Sequence, residues 1–425
     1  MTPEVKKRID QIRQGIVPEG YKKTKTDIVP ADWKESPIGE YIREYTEKTT
    51  IPNQYPVLTS ARTGLMLQTD YYSNRQVTTE DNVGYNVLPY GYITFRSRSD
   101  DGRFRFNENR IIERGIISYF YPVFSFSEEV CHEYVLYLLN FSIYRRMYPY
   151  AEGTAQQVLS LKKLGQLKYS LPLVAEQKKI AEILSTQDKA IELQGRKIEE
   201  LKRFKKGCLE KMFPRKGQKV PEKRFPGFTG DWEQRKLEDY LTVSAEKNTG
   251  NIYGRSDVLS VSGDYGIVNQ IEFQGRSFAG ASVSNYGVVQ TGDVVYTKSP
   301  LNSNPYGIIK TNKGKPGIVS TLYAVYHPKE NAFSDFIQVY FEQHARMNNY
   351  MHPLVNKGAK NDMKVSAENA LKGPVCFPSR IEQESISAFF SVLDNLITLH
   401  QRKLEEMKRQ KKALMQLLLT GIVRV

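Results

Sequence analysis

Apolar residues recur at seven-residue intervals in two distant stretches of the chain. In residues 172–213 this interval links Leu184, Ile191 and Ile198, with charged residues between them, and residues 378–419 repeat the pattern. A seven-residue apolar repeat places its members along one side of an α-helix, so each stretch is predicted to form a long helix. Polar residues interrupt the apolar seam at several core-type positions: Gln187, Gln194, Lys205, His400 and Lys411.

The regions that precede the two helices have a different pattern. Over residues 33–170 and 232–376, short runs of β-branched and aromatic residues alternate with Gly, Pro and Asn turns, as in GIISYFYPVF and GIVSTLYAVY. Such runs favour strands of a mostly antiparallel sheet. Helical stretches are predicted near residues 128–147 and 334–348. Each region is therefore predicted to be an α+β domain.

These patterns occur twice because the chain is an internal duplication. Three anchor motifs recur at offsets of 199, 202 and 206 residues: Asp32-Trp33 with Asp231-Trp232, Gly115-Ile116-Ile117-Ser118 with Gly317-Ile318-Val319-Ser320, and Glu176-Gln177 with Glu382-Gln383. The offset grows steadily along the chain, as small insertions in one copy require. The helical segments are the better preserved part of the repeat, whereas the domains share only short motifs.

Two related halves that make equivalent contacts require an approximate twofold axis. The long helices are therefore predicted to pair as an antiparallel coiled coil. A stretch rich in Lys, Arg, Pro and Gly begins at Pro214, cannot continue the first helix and is predicted to be a linker. The predicted organisation is an N-terminal segment 1–31, a first domain 32–171, a central helix 172–213, a linker 214–230, a second domain 231–377 and a C-terminal helix 378–425.

The charge of the chain narrows the class of its ligands. Its 61 Lys and Arg residues exceed its 47 Asp and Glu residues, giving a net charge of +14, and 27 tyrosines accompany them. Polyanions are the natural partners of such a chain, because cations hold phosphates while aromatic rings stack on bases. No apolar run approaches the roughly 18 residues of a membrane span. Three widely spaced cysteines fit a reducing compartment, so we expect a cytoplasmic protein without a structural metal.

In their order and twofold recurrence, these motifs resemble the specificity subunits of type I restriction-modification systems over essentially the whole chain. The resemblance rests on the Asp-Trp motifs, the Gly-x-x-Ser motifs, the Pro-x-x-x-Glu-Gln start of each helix at Pro172 and Pro378, and the ending LLLTGIVRV. It implies two α+β target-recognition domains separated by two long helices. Each domain would read one half of a bipartite, asymmetric site in double-stranded DNA, and the helices would set the spacer.

The resemblance also implies partners. Two modification subunits that bind S-adenosylmethionine and methylate adenine N6 would dock on the helices, and restriction subunits that translocate DNA would join through them. The chain itself would be non-catalytic and bind no cofactor. Consistent with this, it has no Gly-Lys-Ser/Thr phosphate loop, and Asn304-Pro305-Tyr306 lacks the second proline of the adenine methyltransferase motif. The alternatives are a self-sufficient fused methyltransferase and nuclease, and a scaffold that does not bind DNA.

The richest candidate for DNA contact in the first domain is the segment Tyr92–Arg110. Its arginines alternate with Phe95, Phe104 and Phe106, which predicts arginines on one face of a hairpin and phenylalanines on the other, with Asp-Asp-Gly as the turn. Arginine can bind guanine O6 and N7 or hold phosphate, and the alternative is a solvated face above packed rings. The candidates are Arg96, Arg98, Arg103, Arg105 and Arg110.

The matching segment of the second domain, Tyr296–Lys315, is rich in Asn and Lys instead. Asparagine can pair with adenine, although Asn-rich runs are also common in turns. The candidates are Lys298, Asn302, Asn304, Lys310, Lys313 and Lys315. Two domains that recognise different half-sites are expected to differ in residue type at matching positions, as these segments do.

The start of each long helix is predicted to contact partner subunits, with helix capping as the alternative. The residues concerned are Glu176, Gln177, Ile180, Glu382, Gln383 and Ile386. Runs of lysine near residues 205–219 and 408–412 are interpreted as solvated helix faces, with phosphate contact across the spacer as the alternative.

Overall fold

The computed structural model describes residues 2–72, 81–147, 157–263, 265–298, 304–357 and 363–425. The chain divides into two compact units. Unit 1 contains the described residues up to Gln194 together with Lys403–Val425, and unit 2 contains Gly195–Arg402. Each long helix therefore contributes one part to each unit. The candidate residue Asn302 lies outside the described residues.

Unit 1 holds the first predicted domain. Its strands are β1 (Tyr21–Lys23), β2 (Ile28–Pro30), β3 (Lys34–Pro37), β4 (Ile42–Tyr45), β5 (Leu58–Ala61), β6 (Gly64–Leu67), β7 (Asn86–Pro89), β8 (Ile93–Phe95), β9 (Arg98–Ser99), β10 (Phe106–Glu108), β11 (Arg114–Ile117), β12 (Val123–Phe126), β13 (Gln157–Val158) and β14 (Lys168–Leu171). The helices that begin in it are α1 (Pro3–Arg13), α2 (Gln68–Tyr71), α3 (His132–Met147), α4 (Leu161–Gln166) and the long helix α5 (Val174–Lys211).

Unit 2 holds the second predicted domain. Its strands are β15 (Glu233–Lys236), β16 (Leu241–Val243), β17 (Leu259–Ser262), β18 (Gly266–Asn269), β19 (Gly287–Val289), β20 (Val294–Thr297), β21 (Ile309–Thr311), β22 (Gly317–Val319), β23 (Tyr323–Pro328), β24 (Asn356–Lys357), β25 (Met363–Lys364) and β26 (Pro374–Phe377). The helices that begin in it are α6 (Gln270–Gln274), α7 (Ser334–Tyr340), α8 (His344–Met351) and the long helix α9 (Arg380–Leu419). The second helical stretch predicted as continuous is thus two helices.

The two domains share one strand order, as the duplication predicts. The main sheet is β10-β8-β12-β4 in unit 1 and β21-β20-β23-β16 in unit 2, and its pairs are antiparallel. A hairpin, β5-β6 or β17-β18, precedes a short helix in each domain. The first and last strands of each domain also pair, β3 with β14 and β15 with β26. The prediction of α+β domains with antiparallel sheets is confirmed.

The predicted antiparallel pairing of the long helices is confirmed within each unit. In unit 1, Asp188 of α5 contacts Lys411 of α9, and the earlier residues Ile180 and Leu184 share a core with the later residue Leu418. The same inverse order holds in unit 2. Lys205 of α5 forms an ion pair with Asp394 of α9, and Phe213, which follows α5, packs on Phe390, nearer the start of α9. Increasing residue numbers on α5 therefore correspond to decreasing numbers on α9.

The end of α9 packs closely against the start of the first domain. Gly421 follows the helix with a φ of 72°, a backbone conformation that L side chains rarely adopt. A Cβ atom at this position would lie 2.5 Å from Pro30 Cδ and 3.0 Å from the ring of Trp33. Glycine is required here for both reasons. Trp33 and its counterpart Trp232 are each only 1% exposed, so the two repeat anchors are core residues. In the described part of the chain, no helix combines the length and apolar character needed to cross a bilayer.

Candidate nucleic-acid interface

The arginine-rich segment of the first domain starts as the predicted hairpin. β8 pairs with β10 so that Phe95 lies opposite Phe106, and both rings are buried together with Phe104. The predicted alternation of burial is confirmed, since all five arginines of the segment are exposed: Arg96, Arg98, Arg103, Arg105 and Arg110.

The arginines do not share one face, however, which corrects the hairpin prediction. The segment between β8 and β10 contains β9, and β9 pairs with β13 rather than continuing the hairpin. Arg98 lies in β9 itself, with Arg96 before it and Arg103 and Arg105 after it, so this detour distributes the arginines along the segment. Arg110 is separate again, at the far end of β10, where it pairs with Glu108 and Glu133 at 2.7 and 3.4 Å.

Arg103 and Arg105 lie beside helix α3. The guanidinium of Arg103 is 5.5 Å from the ring centre of Tyr144. Although Arg105 is exposed as a residue, partial desolvation of its guanidinium lowers its pKa, while Asp188 and Tyr137 act in the opposite direction. These two arginines are therefore close to the junction between the domain and the long helix α5.

Arg96 and Arg98 lie among exposed aromatic side chains. The guanidinium of Arg98 is 5.0 Å from the ring centre of Phe120, whose ring is 4.2 Å from that of Tyr119. Burial raises the pKa of Tyr121, with Arg96 lowering it and Tyr72 and Tyr71 adding to the rise, so these groups lie within electrostatic range of one another. We define the aromatic–arginine patch as Tyr71, Tyr72, Arg96, Arg98, Tyr119 and Phe120.

This patch has the chemistry of a nucleic-acid surface. Its four aromatic residues are each at least 40% exposed, which is unusual for rings unless they meet a partner. In a DNA duplex, aromatic side chains can contact the thymine methyl group at the base edge, and arginine adds phosphate contact or bidentate recognition of guanine. Both functions are present here within one surface of the first domain.

In the second domain, the structure also divides the predicted candidates. Lys298 follows β20, and its backbone N–H donates to the carbonyl of Leu322 at 3.1 Å. Lys313 lies beyond the other end of the β20-β21 pair, where it forms a 3.1 Å ion pair with Asp335. Lys315 is exposed near Lys313, Lys310 is half-buried within β21, and Asn304 is half-buried at the turn before β21.

The surface equivalent to the patch is less aromatic in the second domain. Leu322 replaces Phe120 at the matching position after Gly-x-x-Ser and is 62% exposed. Beside it, burial and then the nearby Lys247 lower the pKa of Lys298. Tyr265 and Phe273 are also exposed, with ring centres 5.1 Å apart, next to hairpin β17-β18. The two domains thus present different side chains from one framework.

Sequence reasoning did not identify the aromatic members of the first patch. Tyr119 and Phe120 directly follow the repeated Gly-x-x-Ser motif, at a point where the second copy has Thr321 and Leu322. The change from aromatic residues in one copy to a threonine and a leucine in the other, directly after a shared motif, could have identified these two positions. Tyr71 and Tyr72 had no comparable signal, because only folding brings α2 to the loop after β11.

The six predicted contact residues at the helix starts are buried within the chain. Gln177 accepts a hydrogen bond from the backbone N–H of Cys131 at 2.8 Å and donates to the carbonyl of Pro172 at 2.9 Å. Gln383 makes the equivalent bonds with Phe333 and Pro378. These glutamines attach each helix start to its domain. All six side chains are at most 8% exposed: Glu176, Gln177, Ile180, Glu382, Gln383 and Ile386.

The two glutamates at the helix starts each bind one arginine through both carboxylate oxygens. Arg224 contacts Glu382 at 2.6 and 2.7 Å. Arg424 contacts Glu176 at the same two distances and also reaches Asp32 at 2.9 Å. These contacts satisfy the two carboxylates within the chain, which agrees with a structural role at the helix start; contact with partner subunits stays a prediction.

No group of three or more His, Cys, Asp or Glu side chains placed to hold a metal ion occurs among the residues that the structure describes.

Comparison with known sequences identifies relatives for this arrangement. Residues 30–203 match the family model of the type I restriction modification DNA specificity domain. The type I restriction enzyme MjaX specificity subunit of Methanocaldococcus jannaschii is 24% identical, over 96% of this chain and 97% of that protein. The MjaVIII specificity subunit of the same organism is 23% identical, over 97% of this chain and 98% of that protein.

Solved structures share the fold. The type I restriction-modification S subunit from M. genitalium superposes with a TM-score of 0.54 and 12% identity, covering 95% of this chain and 99% of that one. A chain from a study of complex assembly and conformational transition in the type I R-M system gives a TM-score of 0.51 and 13% identity, covering 93% and 99%.

Proposed function

Since the chain belongs to the specificity subunits of type I restriction-modification systems, we propose that it directs such a system to one bipartite sequence in double-stranded DNA. Each recognition domain reads one half of the site. The chain is non-catalytic and confers specificity on the methyltransferase that it binds.

One observation carries this proposal. The two domains have the same strand order, yet their exposed surfaces differ, with Tyr119 and Phe120 in one and Thr321 and Leu322 at the matching positions of the other. A repeated framework with different surfaces suits recognition of two unlike half-sites, which gives an asymmetric target. Phosphate contacts position such a protein, and contacts to bases specify the sequence.

The partners follow from the same assignment. Two modification subunits bind the long helices, hold S-adenosylmethionine and methylate adenine, while restriction subunits join through them. This chain holds no cofactor. The DNA-contact roles of Arg96, Arg98 and Lys298 are supported by their position beside exposed aromatic or apolar side chains, whereas Lys313 and Arg110 are already paired with carboxylates.

Methylation mapping tests the function directly. The chain is co-expressed with its modification subunit in a host that lacks other adenine methyltransferases, and methylated adenines are mapped across the genome. We expect one split sequence, with a methylated adenine in each half. Methylation by the purified chain alone with S-adenosylmethionine, or co-expression that modifies no defined sequence, would contradict the proposal.

The docking surface for the modification subunits is proposed to be the exposed apolar side of the long helices. Leu193 of α5 and Leu399 of α9 occupy equivalent repeat positions and are 60% and 63% exposed. Val392, one heptad before Leu399 on the same helix face, is 65% exposed. Exposed leucines at matching positions suit two copies of one partner.

Replacing both Leu193 and Leu399 by glutamate should weaken binding of the modification subunits roughly a thousandfold, because burying each leucine contributes about 2 kcal/mol. Binding is measured by titrating the modification subunit against immobilised chain. Val220→Glu, which places the same charge at an exposed apolar position of the linker, is the matched control. Equal binding by the double variant and the control would rule out this surface.

A further inference from the structure

Two lysines that interrupt the apolar seam of the long helices occupy equivalent places in the repeat. Lys205 and Lys411 are 206 residues apart, as are Asp188 and Asp394. In unit 2, Lys205 Nζ lies 2.6 Å from Asp394 Oδ1, and in unit 1, Lys411 Nζ lies 2.5 Å from Asp188 Oδ1. Each pair joins α5 to α9. The two lysine interruptions of the seam therefore form the same ion pair twice.

A third residue from the adjacent recognition domain completes each pair. In unit 2 it is Glu342, between α7 and α8, whose Oε1 lies 2.5 Å from Lys205 Nζ. In unit 1 it is Tyr137 of α3, whose hydroxyl donates to Asp188 Oδ2 at 2.7 Å, while Lys411 Nζ lies 5.3 Å from its ring centre. We call each set of three a joint, since it connects both helices and one domain.

The joints are poorly explained as devices for stability. Burying an ion pair often contributes less than packing apolar side chains of the same volume, although breaking such a pair is unfavourable. The lysine side chains are mostly buried, at 10% exposed for Lys205 and 22% for Lys411, whereas the aspartates are 45% and 41% exposed, and a partly exposed ion pair contributes little to stability. Burial would lower the pKa of Lys205, but the carboxylates of Glu342 and Asp394 outweigh burial and raise it. The lysine is therefore charged and depends on these partners.

A joint does distinguish between helix registers. The apolar seam repeats every seven residues, so sliding one helix by a heptad would still bury leucines and isoleucines. It would also leave a charged lysine at a core position without its carboxylate partner. A single lysine or asparagine at a core position fixes register in coiled coils for this reason.

From the twofold occurrence of these contacts, we infer that the joints are the positioning residues that fix helix register and domain orientation, and thereby restrict the complex to one gap length between half-sites. This inference rests on the proposed function. A half-site displaced by one base pair changes both distance and rotation along the DNA, so a register device of this kind rejects it.

The test removes the polar joint of unit 1 while keeping its volume, in the variant Tyr137→Phe, Asp188→Leu, Lys411→Met. The complete complex with its modification subunits is given duplexes with both half-sites fixed and the gap varied one base pair at a time. We expect the ratio of methylation rates at the native gap and at a gap one base pair longer or shorter to fall about tenfold. The matched control is Glu405→Leu with Lys408→Met, which removes an exposed pair on α9 and should leave the ratio unchanged.

The readouts separate the possible outcomes. A variant complex that forms, methylates the native gap and keeps the wild-type ratio overturns the inference. If the triple variant does not assemble, Asp188→Asn is scored in the same way, with about a threefold fall expected from loss of one charge, and an unchanged ratio again overturns it. A wild-type complex that methylates no split duplex contradicts the proposed function instead.

Discussion

Replacing Arg224 by alanine is expected to lower the free energy of unfolding of unit 2 by about 3–5 kcal/mol, because it leaves a buried carboxylate without its partner. The carboxylate is that of Glu382, whose side chain is 1% exposed, and Arg224 is itself 15% exposed. Arg224 also donates to the carbonyl of Gly230 at 2.6 Å, so its loss detaches the linker as well. For a unit of this size, the midpoint of thermal unfolding should move down by about 6–20 °C.

Thermal unfolding followed by calorimetry measures this effect. Arg215→Ala is the matched control, because Arg215 belongs to the same linker but its pair with Glu222 is exposed and should contribute at most about 1 kcal/mol. Equal shifts in the two variants would show that the Arg224–Glu382 pair does not hold the linker. Arg424→Ala should destabilise unit 1 by a smaller amount, because Arg424 is 40% exposed and water screens the loss.

The second large effect is expected on DNA recognition. Replacing Tyr119 and Phe120 together by alanine should weaken DNA binding by the complete complex about 100- to 1,000-fold, since loss of the contacts to one base pair costs about 1–3 kcal/mol and two rings are removed. The loss should relax discrimination in one half-site only, because both rings belong to the first domain. Methylation rates on duplexes with single base changes in either half measure this.

Tyr90→Ala provides the control for this prediction. Tyr90 is 60% exposed and belongs to the same domain, but its backbone pairs with Glu113, outside the aromatic–arginine patch. It should leave affinity and specificity unchanged. A uniform loss of recognition in both half-sites would show that Tyr119 and Phe120 support the fold instead of reading DNA.

The sequence predicts most of the framework because that information is local and repeated. The seven-residue spacing around Leu184 and Ile191 predicts α5 almost to its ends, and the recurrence of Glu176-Gln177 as Glu382-Gln383 predicts a matching helix. Burial of Phe95 and Phe106 follows from alternation. For the helix and for the strands, the residues whose pattern predicts the structure lie close together in the chain.

The contacts that the sequence does not predict join residues far apart in the chain. Arg224 and Glu382 are 158 positions apart, and nothing near either one indicates the other. In the sequence, the Glu-Gln motif is typical of an exposed, charged helix start. The structure shows instead that Arg224 and Arg424 bind its two glutamates. The aromatic–arginine patch combines α2, the segment after β8 and the loop after β11, which only the fold brings together.

The division of the chain between the units constrains the order in which they mature during synthesis. Unit 2 is continuous, from Gly195 to Arg402, whereas unit 1 needs Lys403–Val425 to complete the core that Leu418 and Leu419 enter. Unit 1, which contains the domain translated first, therefore cannot complete its core until more than 200 further residues have been made. Domains otherwise generally fold in the order of translation. During that interval Glu176 lacks Arg424, and the apolar side of α5 in unit 1 is uncovered. The first-made half of this protein is thus the last to be finished, and its apolar surface stays exposed while the ribosome is still at work.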